Sequence, residues 1–89
     1  MLIAIIAHDK PGALQTRLDN REEHLAYLKG SGVVSQAGPL LDDAGQMCGS
    51  LVVLDVADMA AAEAWVAGDP YGKAGLFASV ALSAWKKVI

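Results

Sequence analysis

Two arginines and a histidine in the first half of the chain have the residue types and the spacing for chemistry. Arg17, Arg21 and His24 follow one another at intervals of four and three residues, which places them toward the same side of a helix. An imidazole titrates near neutral pH and suits general acid–base catalysis, and a guanidinium suits the binding of a carboxylate. The three side chains could therefore point into one pocket that binds an anion and moves a proton.

The segment that would position them is an amphipathic helix, which we predict from Leu14 to Ser31. A rotation of about 100° per residue gives this helix an apolar stripe, which we expect to be buried. Arg21 falls inside the stripe, while Arg17 and His24 lie along one edge, and a buried guanidinium is costly unless it is paired or reaches a wet cavity. Three interpretations stay open: Arg21 has a buried anionic partner, the helix borders a polar pocket, or Arg21 extends to solvent and His24 is a surface residue. The stripe consists of Leu14, Leu18, Leu25 and Leu28.

Asp69 is the second candidate for chemistry, because a carboxylate on an imidazole nitrogen fixes the tautomer and raises the basicity of the ring. It follows a second predicted helix and precedes Pro70. If both helices lie on one face of a sheet, the end of the second can approach His24 on the first. The alternative is that Asp69 caps the loop before the proline, as Asp-Pro often does. Asp9, at the end of the first predicted strand, is a weaker candidate as a partner for an arginine.

Small or polar residues at strand ends are candidates for substrate binding. Gly38 and Gly49 would let a ligand approach the backbone closely, and Ser50 could donate a hydrogen bond, although glycines there also serve as turn residues. No phosphate-binding glycine pattern is present, and Ser50 lacks the context of a nucleophile elbow, so we do not predict covalent catalysis. The lone cysteine and the two histidines lack metal-ligand spacing. We therefore predict neither a metal nor a cofactor.

Composition narrows the class of protein. The chain has 89 residues, 54% of them hydrophobic, and a mean hydropathy of +0.36, which suggests one domain over residues 1–89 with more apolar surface than a monomer can bury. We therefore expect a homo-oligomer. The net charge of −3 argues against a nucleic-acid partner. The single cysteine is typical of a reducing compartment, and the apolar run at residues 1–7 is too short for a signal peptide or a membrane span, so we expect a cytoplasmic protein without a membrane partner.

The order of predicted elements is β-α-β-β-α-β, typical of a ferredoxin-like sandwich in which two helices cover one face of a four-stranded antiparallel sheet. The first and third strands are apolar at consecutive positions, so both of their faces should be covered. A second copy of the sheet, forming a homodimer of the α+β barrel type, is the simplest cover for the open face. Asp58 should cap the second helix, and the weak helix formers Asp19 and Asn20 leave open a later start of the first. The predicted strands are residues 2–7, 33–37, 47–56 and 78–88, with residues 40–41 extending the second past a bulge; the predicted helices are residues 14–31 and 59–68, with a short turn at 73–77.

The chain resembles the YciI-like (YCII-related) domain family over nearly its whole length. No single match is specific, but six in the same order and spacing are fairly specific. They are the opening strand running into Asp9-Lys10-Pro11, the segment Arg17-x3-Arg21-x2-His24-Leu25, Ala37-Gly38-Pro39, Gly49-Ser50, Asp69-Pro70-Tyr71 and Trp85-Lys86-Lys87. The sequence departs from the family pattern in a short turn after Leu41 and in Gly68, where a second polar residue is expected, so the family's substrate is not carried over.

The resemblance implies a dimeric α+β barrel with a His–Asp pair in a pocket, which here corresponds to His24 and Asp69. It also implies lyase- or dehalogenase-like steps on small, often ring-derived acids. In this interpretation His24 is the general acid or base and Asp69 orients it. Arg17 or Arg21 holds a carboxylate of the substrate. The other substrate-binding residues are Gly38, Ser50 and Tyr71. The alternative is a non-catalytic module that binds a small molecule or supports assembly, because this fold serves many unrelated roles.

Overall fold

The computed structural model describes all 89 residues, which form a four-stranded sheet and three helices. In chain order the elements are β1 (Leu2–Asp9), α1 (Leu14–Ser31), β2 (Val34–Leu41), β3 (Met47–Asp55), α2 (Met59–Gly68), α3 (Pro70–Lys73) and β4 (Phe77–Trp85). All paired strands are antiparallel, and the strand order is β2-β3-β1-β4. This is the arrangement of a ferredoxin-like fold, so the predicted fold class is confirmed. No helix is both long enough and apolar enough to cross a membrane.

Both long helices lie on the same face of the sheet. Ile3 and Ile5, alternate residues of β1, belong to one buried cluster with Leu28 of α1 and Trp65 of α2. Residues directly opposite each other on paired strands share a face, and Val52 of β3, opposite Ile5, joins the same cluster. The hydrophobic core therefore lies between one sheet face and the two helices.

Trp65 is the bulkiest side chain of this core, and its replacement should be strongly destabilising. It is 6% exposed, its indole N–H donates to the Ser31 hydroxyl at 3.1 Å, and Tyr27 donates to its carbonyl oxygen at 2.7 Å. We expect Trp65→Ala to lower the free energy of unfolding by about 3–5 kcal/mol, measured by chemical denaturation. The matched control is Glu63→Ala, at an exposed position of the same helix. A loss below about 1 kcal/mol for Trp65→Ala would contradict its place in the core.

The other face of the sheet carries apolar side chains that this chain does not cover. Ile6 of β1 lies opposite Leu51 of β3, and the two remain 41% and 39% exposed. Trp85, opposite Leu2 at the end of β4, is 41% exposed. The structure thus agrees that β1 and β3 are apolar on both faces, whereas a second copy covering this face stays a prediction.

The first helix, α1, is rotated about its own axis relative to the orientation that its apolar stripe predicts. It begins at Leu14, so the later start near Asp19 is wrong, and Asp19 instead accepts a hydrogen bond from Gln15 within the helix. Leu18 of the predicted stripe is 47% exposed, and its burial is also wrong. Asp9 and Asp69, on other elements, form hydrogen bonds with Arg17 and His24 on the polar edge of the helix, so this edge is buried without leaving those polar groups unpaired. The buried residues of α1 are Arg17, His24 and Leu28.

Two other segments differ from the prediction. β2 continues to Leu41, so the predicted extension over residues 40–41 is confirmed. Gly38 and Pro39 do not interrupt the strand but pair with β3, and the register shifts lie near both ends of β2. Proline is tolerated there because β2 is an edge strand, one side of which has no neighbour. After α2 the chain forms the short helix α3, which is absent from the sequence-based prediction, and a turn at residues 74–75 lies within the predicted turn at 73–77. Asp58 caps α2 as predicted, accepting from the N–H of Ala61 at 2.8 Å.

Candidate functional site

A cavity of about 60 Å³ is bordered by α1, by the paired strands β2 and β3, and by α3. Six of the seven residues predicted for the site line it: Arg17, Arg21, His24, Gly38, Ser50 and Tyr71. The seventh, Asp69, is buried and contacts His24. The remaining lining residues are apolar: Leu25, Leu28, Ala37, Pro39, Met47 and Val52. The fold therefore brings together side chains that are far apart in sequence, and their functional roles stay predictions.

His24 and Asp69 form a buried, hydrogen-bonded pair. Nδ1 of His24 lies 2.7 Å from Oδ1 of Asp69, and the two residues are 5% and 4% exposed. The interpretation of His24 as a surface residue is therefore wrong. The same Oδ1 accepts a hydrogen bond from the backbone N–H of Tyr71 at 3.0 Å. The two alternatives for Asp69 hold at once, because it caps α3 and contacts the imidazole with one oxygen.

The contact with Asp69 selects one tautomer of the His24 ring. An ionised carboxylate only accepts hydrogen bonds, so Nδ1 carries the proton that is donated to Asp69. Nε2 is then the nitrogen with a free lone pair. The imidazole can take up a proton at Nε2, and the Asp69 carboxylate stabilises the cation that forms.

The ring of Tyr71 covers one face of the His24 ring. The two ring centroids are 3.8 Å apart, and the ring planes differ by 12°. Phe77 contacts Tyr71 edge-on, with centroids 6.1 Å apart. Burial raises the pKa of the Tyr71 phenol against the opposing charges of Arg17 and Arg21. The phenol therefore stays protonated at neutral pH and can donate a hydrogen bond.

Arg17 is held by partners within the protein. Its Nε donates to Oδ2 of Asp9 at 2.7 Å, and its Nη2 donates to Oδ1 of Asp9 at 2.9 Å. Nη2 also donates to the Ser50 hydroxyl oxygen at 2.9 Å. Burial alone would lower the pKa of Arg17, but the hydrogen bonds and charge of Asp9 outweigh it and raise that pKa. Arg17 is therefore a fixed cation, and Asp9, the weaker candidate from the sequence, is its partner.

Arg21 is the arginine that remains available to a ligand. Its side chain is exposed and lines the cavity, so the interpretation that gives Arg21 a buried anionic partner is wrong. None of the three ion pairs of the chain includes it. Its free N–H groups suit a carboxylate or a ring oxygen with negative charge. Ser50 accepts from Arg17 and keeps its own O–H to donate to a ligand.

Two features of the site are absent from the sequence-based prediction: the helix α3, and the stacking of Tyr71 on His24. A signal for α3 exists, because Asp69 followed by Pro70 is an N-cap followed by proline in the first helical turn. The departure at Gly68 also has a cause in the packing. A Cβ added at Gly68 would lie 2.5 Å from the Tyr27 hydroxyl, so a side chain there would displace that ring.

Metal-ligating side chains do not cluster in this structure. No group of three or more His, Cys, Asp or Glu residues is placed to hold a metal ion. Cys48 is a free, half-buried cysteine on β3.

Comparison with known proteins gives matches over nearly the full chain. A model of the YCII-related domain matches residues 1–86. Protein YciI of Escherichia coli is 37% identical over 97 aligned positions, which cover 99% of this chain and 99% of the relative. A protein of Haemophilus influenzae is 38% identical over the same span, with the same coverage of both chains.

One solved structure is similar in both sequence and shape. It is 5-chloro-2-hydroxyhydroquinone dehydrochlorinase (TftG) from Burkholderia phenoliruptrix AC1100, in complex with 2,5-dihydroxybenzoquinone. The superposition has a TM-score of 0.88 at 37% sequence identity and covers 97% of this chain and 94% of that chain. With a domain match over residues 1–86 and relatives of this identity along almost their whole length, the chain belongs to the YCII-related domain family.

Proposed function

We propose that this chain is a small cytoplasmic enzyme that carries out lyase- or dehalogenase-like proton transfer on a small anionic, ring-derived substrate. One observation carries the proposal: Nδ1 of buried His24 lies 2.7 Å from Oδ1 of buried Asp69, beside a cavity that His24 lines. A carboxylate that orients an imidazole next to a cavity is an arrangement for general acid–base catalysis. The similarity to a dehydrochlorinase supports the class of reaction.

Loss of HCl from a chlorinated trihydroxybenzene is a suitable reaction for this site because it consists of proton transfers. In going from 5-chloro-2-hydroxyhydroquinone to a hydroxybenzoquinone, the carbon that bears chlorine gains a proton. Two ring hydroxyls each lose a proton, and chloride leaves with the electron pair of the C–Cl bond. The ring is oxidised as the C–Cl carbon is reduced, so no external electron donor or acceptor is needed. An imidazole that alternates between its neutral and protonated forms serves both directions of proton transfer.

The size of the cavity decides how such a ring would sit. The volume is about 60 Å³, whereas a cavity of roughly 150 Å³ encloses a benzene ring. The ring would therefore stand partly outside, with its reacting edge toward Nε2 of His24 and a charged oxygen beside Arg21 at the mouth. The Ser50 hydroxyl would donate to a second ring oxygen. Gly38 borders the cavity through its backbone, because its pairing with Leu51 would place a side chain at this position on the opposite face of the sheet.

Release of chloride from 5-chloro-2-hydroxyhydroquinone tests the proposed function. We expect the purified protein to release chloride and to form quinone in equal amounts, faster than the same solution without protein. 2,5-Dihydroxybenzoquinone should inhibit competitively. If the quinone binds but neither this nor a related chlorinated hydroxyquinol is turned over, the non-catalytic binding module is supported instead. The absence of both quinone binding and substrate turnover would contradict the proposal.

Arg21→Gln should weaken substrate binding without impairing the chemical step. A hydrogen bond to a charged group contributes about 1.5–3 kcal/mol, so KM should rise by roughly 10–100-fold while kcat changes little. Lys29→Gln is the matched control, since it removes an exposed positive charge from the same helix without touching the cavity. An Arg21→Gln variant with the same KM as the Lys29→Gln variant would show that Arg21 does not bind the substrate.

We also propose that two copies pair through the open sheet face, because Ile6, Leu51 and Trp85 are exposed apolar side chains there. One chain has a mass of 9.2 kDa, and light scattering should give twice that mass. Leu51→Arg should yield the mass of a single chain, since an unpaired charge in the centre of an apolar interface is costly. Ala60→Arg, on the exposed side of α2, should leave the mass unchanged. A single-chain mass for the unaltered protein at micromolar concentration would rule the pairing out.

A further inference from the structure

We propose that Asp9 and Arg17 are positioning residues for His24: their buried ion pair holds the Tyr71 ring against one face of the imidazole. The inference rests on the proposed function, because it concerns how the imidazole of that function is held. Both residues act through Tyr71. This role differs from the binding of a substrate carboxylate, which the sequence leaves open for Arg17.

Tyr71 lies between Arg17 and His24, which are two turns apart on α1. The His24 ring is nearly parallel to the Tyr71 ring, with centroids 3.8 Å apart, and Cζ of Arg17 lies 4.6 Å from the Tyr71 centroid. Because a parallel ring at that distance fills one face of Tyr71, the guanidinium covers the other. Seven helical residues rise by roughly 10 Å, which is the space that an aromatic ring with a planar group on each face requires.

The ion pair that holds the Arg17 side chain is fixed in both position and orientation. The side chains of Arg17 and Asp9 are 3% and 5% exposed, and two hydrogen bonds of 2.7 and 2.9 Å join them. Ser50 accepts a third hydrogen bond from the same guanidinium. A bidentate ion pair fixes the plane of a guanidinium as well as its position. Asp9 is the last residue of β1, so the end of this strand sets the position of the Tyr71 ring through Arg17.

This support restricts a motion that the contact with Asp69 leaves open. One hydrogen bond at Nδ1 fixes one atom of the imidazole but leaves a coupled rotation about the two side-chain torsions of His24, which tilts the plane of the ring. The parallel Tyr71 ring blocks that rotation and keeps Nε2 at one angle to the cavity. The face of an aromatic ring is also electron-rich, so it favours the imidazolium that forms during the reaction. A misplacement of a catalytic group by about 1 Å can lower the rate by about 10²-fold.

Asp9→Asn tests the inference, with Asp55→Asn as the matched control. Asp55 is an exposed strand residue that pairs with the N-terminal ammonium at 3.3 Å, at the other end of the β1–β3 ladder. The ring protons of His24 lie over the Tyr71 ring, whose ring current should shift their NMR signals upfield. We expect Asp9→Asn to move these signals toward those of an unstacked histidine and to lower kcat by roughly 10–100-fold with little change in KM. Asp55→Asn should leave the signals and kcat as they are.

Two results would overturn the inference: His24 signals that do not move in Asp9→Asn, or signals that move without any loss of kcat. If Asp9→Asn does not fold, Arg17→Lys takes its place in the test, because lysine keeps the charge but not the bidentate contact. The same loss of upfield shift is then expected. Tyr71→Phe keeps the ring and should retain the shift. Because the NMR comparison needs no substrate, it decides whether the ion pair holds the imidazole independently of whether the unaltered protein releases chloride.

Discussion

Replacing His24 with asparagine should lower kcat for HCl loss by roughly 10²–10⁴-fold. Asparagine retains an N–H that can donate to Asp69, so the buried carboxylate keeps a partner and the fold should survive. It has no group that takes up and returns a proton at neutral pH, and the loss therefore falls on the chemical step. KM should change little, because Arg21 still binds the charged oxygen of the substrate.

His8→Asn is the control for this variant. His8 is an exposed residue of β1 and lies outside the cavity, so its replacement should leave kcat unchanged. Steady-state rates of quinone formation give kcat and KM for both variants, and circular dichroism checks that each is folded. If the folded His24→Asn variant has the same kcat as the His8→Asn variant, His24 takes no part in the chemical step.

Asp69→Asn should produce a loss of similar size by a different route. Asparagine has no charge to stabilise the imidazolium. If its amide nitrogen turns toward Nδ1, the ring proton also moves to Nε2 and leaves no lone pair for the substrate. Both effects lower kcat, by roughly 10²–10⁴-fold together. One oxygen, Oδ1, contacts both Nδ1 of His24 and the Tyr71 N–H. The amide oxygen therefore keeps the cap of α3 when it takes that position, whereas an amide nitrogen there gives up the cap as well.

The nitrogen NMR signals of the His24 ring report this change directly, with His8 as an internal reference. Asp58→Asn is the matched control, because Asp58 is an exposed helix cap at the start of α2, and it should leave both the signals and kcat unchanged. If the His24 nitrogens give the same signals with and without the Asp69 carboxylate, then Asp69 is a cap for α3 only.

The fold class could be predicted because most elements carry a local signal. The consecutive apolar residues of β1 and β3, and the alanine-rich run after Asp58, each indicate one type of element, and their order leaves few topologies. β2 carries a weaker signal. Its residues are mostly exposed, and Gly38-Pro39 is typical of a strand end. Pairing with β3 carries the strand past the proline, which depends on the sheet as a whole.

The residues of the candidate site, including Asp69 beside His24 and Asp9 as a partner for an arginine, could be named from the sequence, but the orientation of α1 could not. The apolar stripe of α1 predicts the wrong buried edge, because the burial of Arg17 and His24 depends on carboxylates 8 and 45 residues away. The spacing of residues along one helix carries no information about which residues of other elements will contact it. For the same reason the sequence does not show which of Arg17 and Arg21 is available to a ligand. Only the position of Asp9 in the folded chain shows that the guanidinium of Arg17 is paired and that of Arg21 is free.

The kcat of the double variant His24→Asn/Asp69→Asn tests most directly whether the two residues act as one acid–base unit. Residues that act as a unit show non-additive losses, because a carboxylate has nothing to orient once the imidazole is gone. Chloride release at saturating substrate should therefore be as slow in the double variant as in His24→Asn alone. A double variant whose loss equals the product of the two single losses would contradict the account.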